Sequence, residues 1–495
     1  MVGSGTVRTR DTSAPTGTAA ATGGHVFGRI GALLTELFPQ PELRQPELRQ
    51  PEPAESARWR GSRPLIVAAY ALSLVAGAVL VLARYVGTPP WRSIYAEDFP
   101  VYLAEALAHP WHSVFASYAG YLQLLPRIIG QLVSLLPIRD AAAEFAGSGA
   151  LIAAACALFV FHASSGHVRS LVLRALLGLS VLLLPVALLQ IADSGVNTPW
   201  YLEMALFWAL LWRPPTRTGV ALAAIIGFAA ASSNVTSVVF AILVLMRIIA
   251  LPRVREHAVS IGWALGCLLQ LPYFLRSGSS SGSRLSKLAT PGQSVSFYGH
   301  DVVLPAFGWH VSWVLRHWWD RNYALILVGA VLAIIVVCVL IAGSPRVRLF
   351  TAVALGFGFV FTVVAADVTW WVTINGVIPD AEPGARYTCL PIVLITAVLI
   401  VAVDALFVSG SLSVGRRPVT AVIAIVGLIA VLCVGWIPDF RYTAPRNQAP
   451  LWAPIADQWL RTCQSPSAGQ HSAVRYKDSY DNYVILIIPC SRIRP

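Results

Sequence analysis

The sequence predicts an all-α polytopic membrane protein of about 11 transmembrane helices, with amphipathic helices in a long first outer loop and a small outer C-terminal segment. Three observations predict it. Of 495 residues, 56% are hydrophobic and 12% charged, and the mean hydropathy is +0.66; a water-soluble core cannot bury so much apolar side chain, so the excess faces lipid. Apolar runs recur from Pro64 almost to Pro438, at the roughly 20 residues a helix needs to cross hydrocarbon about 30 Å thick. Between them sit short clusters of arginine rather than one basic face. The net charge of +12 and pI near 9.6 therefore read as topology and imply membrane lipids, not nucleic acid, as partners.

Residues 1–63 are rich in Ala, Gly, Thr and Pro, repeat Pro-Glu-Leu-Arg-Gln between Pro41 and Gln50, and lack the apolar core of a cleavable signal peptide. They predict a cytoplasmic, mostly disordered arm. Within it Val26, Phe27, Ile30, Leu33, Leu34, Leu37 and Phe38 fall at helical spacing, which describes either a short surface helix or a weakly helical linker.

The transmembrane domain is expected over 64–437. Its candidate spans lie near 64–86, 143–163, 171–192, 199–212, 217–231, 235–250, 258–276, 322–342, 347–366, 388–408 and 418–437. The break Ser232-Ser233-Asn234-Val235-Thr236-Ser237 predicts a tight outer turn. Arg58, Arg60 and Arg63; Arg169; Arg213 and Arg217; Arg253 and Arg255; Arg346 and Arg348; and Arg416 and Arg417 all fall on one side, which the positive-inside rule makes cytoplasmic. The parity holds only if the apolar segment Tyr118 to Leu136, with Pro126 and Arg127 inside it, is an amphipathic helix on the outer interface. The outer loops are then 87–142, 277–321 and 367–387. The expected protein is integral to the plasma membrane, with its N-terminus cytoplasmic and its C-terminus outside. The tail 438–495 holds Cys463 and Cys490, which an oxidising space would join as a disulfide. The other five cysteines lie in or beside apolar runs, where a thiol acts as a small hydrophobe.

The stretch Trp91-Arg92-Ser93-Ile94-Tyr95-Ala96-Glu97-Asp98-Phe99-Pro100 puts two adjacent carboxylates just beyond the first span. Sugar transfer from a lipid phosphate needs such a group. A carboxylate takes the proton of an acceptor hydroxyl as its oxygen attacks the anomeric carbon and the phosphate leaves. The plainer alternative makes Asp98 the N-cap of a helix through Tyr102, Ala106 and Leu107, with Glu97 solvated. His109, His112, His300, His310 and His317 have no companion at zinc-site spacing. No phosphate-binding glycine loop is present.

The layout resembles the GT-C type membrane glycosyltransferases that use polyprenyl-phosphate sugars. It does so through the acidic pair Glu97-Asp98 after the first span, Gly120-Tyr121-Leu122-Gln123-Leu124-Leu125-Pro126-Arg127, Asn197-Thr198-Pro199-Trp200-Tyr201-Leu202, and Gly384-Ala385-Arg386-Tyr387 entering a late span. The resemblance covers roughly 64–437 and implies inverting transfer from a polyprenyl-phosphate sugar to a lipid or glycan acceptor of the cell envelope. It implies Asp98 as base with Glu97 as partner, and Arg386 with Tyr387 at the donor phosphate. Arg127, Asn197, Trp200 and Tyr201 would line the same cavity. Some relatives use a divalent cation, which Glu97 or Asp98 would then hold. A transporter or flippase of lipid-linked sugars would instead want ionisable groups or broken helices inside the membrane, as at Glu203 and 232–237. A non-catalytic scaffold would use the tail to bind a partner.

Overall fold

The computed structural model describes residues 31–40, 63–277, 290–318, 321–368, 384–408, 417–442, 449–464, 471–477 and 483–493. Most of the expected N-terminal arm and of the loop 367–387 lie outside these residues, as do Arg58, Arg60, Arg284, Lys287 and Arg416.

The described chain is mainly helical. In order, the helices are α1 (31–35), α2 (Arg63–Leu82), α3 (Ala104–Ala108), α4 (Leu124–Val133), α5 (Ala141–Ala163), α6 (Leu171–Leu182), α7 (Ala187–Gln190), α8 (Thr198–Leu211), α9 (Arg217–Ser233), α10 (Ala241–Ala250) and α11 (Ala258–Ser277). Then come α12 (Pro291–Phe297), α13 (Trp309–Trp318), α14 (Arg321–Ala342), α15 (Pro345–Val368), α16 (Ala385–Val408), α17 (Arg417–Trp436) and α18 (Trp452–Gln464). Two small antiparallel hairpins complete the fold: β1 (Ser117–Tyr118) with β2 (Tyr121–Leu122), and β3 (His471–Lys477) with β4 (Tyr483–Pro489). Among the described residues, six helices are long and apolar enough to cross a membrane.

The structure corrects two of the expected elements. The segment 118–136 is not one surface helix, because Tyr118 and Tyr121 flank a two-residue turn in which Ala119 and Gly120 both have positive φ, 53° and 86°. That is the hairpin turn glycine favours, and α4 starts only at Leu124. Its ten residues reach half the length of a span. The span expected at 171–192 is present as Leu171–Gln190, one of the six, with an irregular turn at 183–186 between α6 and α7. The span expected at 199–212 is α8, 14 residues all buried in protein. At 1.5 Å per residue it is about 21 Å long, a central rod rather than a lipid-facing span. The break expected at 232–237 is present: Asn234 is extended (φ −144°) and its side chain caps a 3-10 turn, Val235–Phe240.

Close helix approach in lipid rests on small residues, since water gives no driving force there. Helices α9 and α11 show this. A Cβ on Gly262 would lie 2.1 Å from the Ala224 carbonyl oxygen, one on Gly227 2.5 Å from that of Val259, and one on Gly266 2.7 Å from that of Phe228. No side chain fits in those gaps.

Of the described basic residues, Arg213, Arg247 and Arg346 reach the 31–40 segment at one end of the bundle. Leu37 and Phe38 are fully buried there, and Arg247 stands 5.6 Å from the Phe38 ring. Arg247 is itself buried and donates to the carbonyls of Leu210, Trp212 and Glu256. At the opposite end Arg84, 1% exposed, donates to Leu182 and Leu184 at 2.7 and 3.0 Å and to Asp439 at 3.1 Å. Tyr442 donates to Pro185 at 3.0 Å, and Tyr85 pairs with Tyr442. The chain leaving the last long helix is thus bound to the end of the first.

Two substitutions test this packing. Gly262→Leu should lower the thermal midpoint of the detergent-purified protein by 10 °C or more and cut expression. Arg84→Met, which keeps the shape but strands three buried carbonyls, should cost about 3 kcal/mol in a denaturant titration; Arg441→Met, whose residue lies on the surface, should change little.

Candidate functional site

The acids lie in a tight passage after α2. A 3-10 turn, Ala96–Asp98, runs directly into a π turn, Phe99–Leu103, with Pro100 near its start. The two carboxylates therefore diverge. Asp98 is fully buried and accepts the amides of Val196 at 2.7 Å and Gly195 at 3.1 Å, one on each oxygen. It makes no side-chain cap to the helix that follows. Its position beside Gly195 is close, for a Cβ there would come within 3.1 Å of its Oδ1. Asp98, expected as the base, here fastens the first loop to the irregular 183–197 segment through backbone amides on both oxygens.

Glu97 is the half-buried one. Tyr118 on β1 donates to it at 3.2 Å, and it lies within electrostatic reach of Arg386. Around these stand Tyr121, also within reach of Arg386, and Tyr387, whose hydroxyl accepts from Arg386 Nη2 at 2.9 Å. Burial, and then the Glu97 carboxylate, hold the Tyr118 phenol well above its ordinary range. Burial pushes Tyr121 up to about 12, with Arg386 opposing. Both phenols keep their protons at neutral pH; Tyr118 donates to Glu97, and Tyr121 accepts from Gln123 Nε2 at 2.7 Å. Arg386 is partly exposed, and its Nε has no hydrogen-bond partner. The arrangement brings a carboxylate and a guanidinium within electrostatic reach of one another among Tyr118, Tyr121 and Tyr387, a combination suited to a proton acceptor beside an anionic group.

The other expected residues hold this wall in place. Arg127, 1% exposed, pairs with Glu105 at 2.6 Å, stands 5.1 Å from the Tyr102 ring and donates to the Ser117 carbonyl. It braces the hairpin and is not a free cavity cation. Asn197 donates to the Gln190 carbonyl at 2.7 Å. The Gln190 side chain accepts the Arg386 amide at 3.1 Å, so Asn197 steadies the start of α16. Trp200 meets Tyr387 edge to face at 5.3 Å, and Trp200 and Tyr201 are buried in protein rather than ranged at the lipid interface. Tyr102, hydrogen-bonded to Gln123, completes the support. Tyr121 and Gln123 belong to the 120–127 motif, whereas Tyr118 and Gln190 are not singled out by the sequence; the Tyr118-Ala119-Gly120-Tyr121 turn is the available signal for Tyr118.

A divalent cation wants about six oxygen ligands. Among the described residues Glu97 is the half-buried carboxylate of this site and Asp98 is taken up by backbone amides, which is short of that number. Among the described residues no group of three or more His, Cys, Asp or Glu side chains gathers elsewhere to hold a metal.

The C-terminal segment packs directly behind the acids. Cys463 and Cys490 form a disulfide with Cα atoms 5.3 Å apart. Phe99 lies between Trp452 and Trp459, each ring 5.0 Å away. Trp452 Nε1 donates to the Ile138 carbonyl at 2.6 Å, and Arg139 pairs with Asp457 at 2.9 Å.

Asp98→Asn turns an NH2 group toward one of the two amides. It should lower thermal stability by about 2 kcal/mol, whereas Glu97→Gln should leave the melting curve within 1 °C of the parent. Equal melting of the two variants would contradict the division of labour between the acids. Comparison with known proteins found no matching family model, no matching curated protein and no matching solved structure.

Proposed function

We propose that the chain is a membrane glycosyltransferase that moves a sugar from a polyprenyl-phosphate donor to a lipid or glycan acceptor of the cell envelope. The supporting observation is the half-buried Glu97 carboxylate, bonded by Tyr118 at 3.2 Å and within electrostatic reach of the Arg386 guanidinium, in a bundle of apolar helices. On this reading Glu97, rather than Asp98, is the base. As the acceptor oxygen attacks the anomeric carbon, Glu97 takes its proton. The bond from that carbon to the phosphate oxygen breaks with inversion, and Arg386 balances the charge of the departing polyprenyl phosphate. Trp200 and Tyr387 set the side chain of Arg386.

About 11 spans, a cytoplasmic N-terminus and an outer acidic loop belong to the same proposal. Six long apolar helices and the basic residues that reach the 31–40 segment support it. In intact cells of a bacterial expression host, a cysteine at exposed Asp140 should react with an impermeant maleimide and one at Arg253 should not. The reverse pattern would overturn the orientation.

Purified protein in lipid vesicles, given a polyprenyl-phosphate sugar and acceptor, should release polyprenyl phosphate. Glu97→Gln should lower kcat by at least about 100-fold, and Arg386→Lys should fall well below the parent with normal expression. Parental turnover by Glu97→Gln would refute the assignment. The alternative of a transporter draws on Glu203, fully buried with Thr236 and Ser237 donating to one oxygen from the broken segment. It predicts movement of the donor across the vesicle without cleavage.

A further inference from the structure

At the basic end, away from the acids, α14, α15, α16 and α17 enclose a cavity of about 920 Å³. Its walls are apolar: Val331, Ile334, Val339, Leu399, Val403 and Leu428. Its mouth is not. Gly343, Ser344, Pro345 and Arg346 line it at the start of α15, a helix of 24 residues whose first amides have no carbonyl within the helix and carry the positive end of its dipole. The basic side chains at the mouth are not equivalent. The neighbouring Arg348 is committed, donating to Gly343 at 2.6 Å and Ile341 at 2.7 Å. Arg346 is partly exposed and, among the described residues, pairs with Glu36 alone, at 3.8 Å. Asp404, the other acid of the lining, accepts the amides of Arg169 and Ser170 at 2.9 Å each. His167 also lines the cavity; it is 8% exposed, and neither ring nitrogen has a hydrogen-bond partner.

We infer that this cavity binds a phospholipid with an anionic headgroup from the leaflet on the basic side. The phosphate sits at the start of α15 against Arg346, with His167 as a further polar contact, and the acyl chains run between α14 and α17. Three features specify the ligand class. The walls suit hydrocarbon, the mouth combines a helix N-terminus with a loosely paired guanidinium, as phosphate requires, and basic connectors mark the leaflet. Glu36, carried by the docked 31–40 segment, occupies Arg346 in the absence of lipid, so headgroup and Glu36 compete. This site is independent of the proposed glycosyl transfer.

Native mass spectrometry of the full chain in detergent, titrated with dioleoyl phosphatidylglycerol or dioleoyl phosphatidylcholine, tests it. The parent should retain phosphatidylglycerol at least tenfold better. Arg346→Gln should reduce that preference to near unity, while Arg348→Gln should keep it. Gly427→Phe places a ring where a Cβ meets no atom within 4 Å, at a position lining the cavity; it should lower retention of both lipids. Glu36→Gln should tighten phosphatidylglycerol. Equal retention of the two lipids by the parent, or parental behaviour of both Arg346→Gln and Gly427→Phe, overturns the proposal. So does displacement of the lipid by millimolar glycerol phosphate, which would mark a site for soluble anions.

Discussion

A carbonyl freed from a helix inside a bilayer has no water to turn to, and this constraint governs where the bundle can break. Two buried arginines meet it. Arg84 takes the carbonyls released where α6 stops at Leu182 and one more from Asp439. Arg247 takes those at the end of α8. A guanidinium suits the task because it holds five donors in a fixed fork and keeps its charge. The broken 183–197 stretch can therefore lie against protein at membrane depth, and it presents the Gly195 and Val196 amides that fasten Asp98. Without Arg84, the acid-bearing turn would have nothing rigid to dock on.

The divergence of Glu97 and Asp98 shows how adjacency in sequence separates roles. A tight 3-10 turn passing into a π turn sends one carboxylate inward and leaves the next beside open space. Asp98 serves as an anchor because two amide hydrogen bonds offset its desolvation. Glu97 has a phenol donor and a guanidinium within electrostatic reach, which leaves it room to exchange a proton. Arg386 in turn is steadied through its backbone by Gln190 and its side chain by Tyr387, so both charged groups stand on supports that reach back into the helical core.

Much of the helical layout was legible, because hydrocarbon thickness sets a length that composition reveals directly. Failures came where a partner lies far along the chain. Pro185 inside an apolar run signals a break, yet only Arg84, about 100 residues earlier, makes that break tolerable. Asp98 looks like a local cap, since nothing nearby in sequence marks the amides at 195 and 196. The hairpin at Tyr118 to Tyr121 was hidden within an apolar stretch whose overall polarity suits a helix. Gly262 and Gly266, four apart in an apolar run, were a readable sign of close helix contact and were passed over.

Phe99 lies between Trp452 and Trp459, and Trp452 bonds across 314 residues of sequence to Ile138. Arg84 likewise waits for Asp439, 355 residues later. The acidic turn is thus made early in the chain, yet the residues that support it come much later. A chain interrupted before α18 carries both acids but not the aromatic clamp behind them.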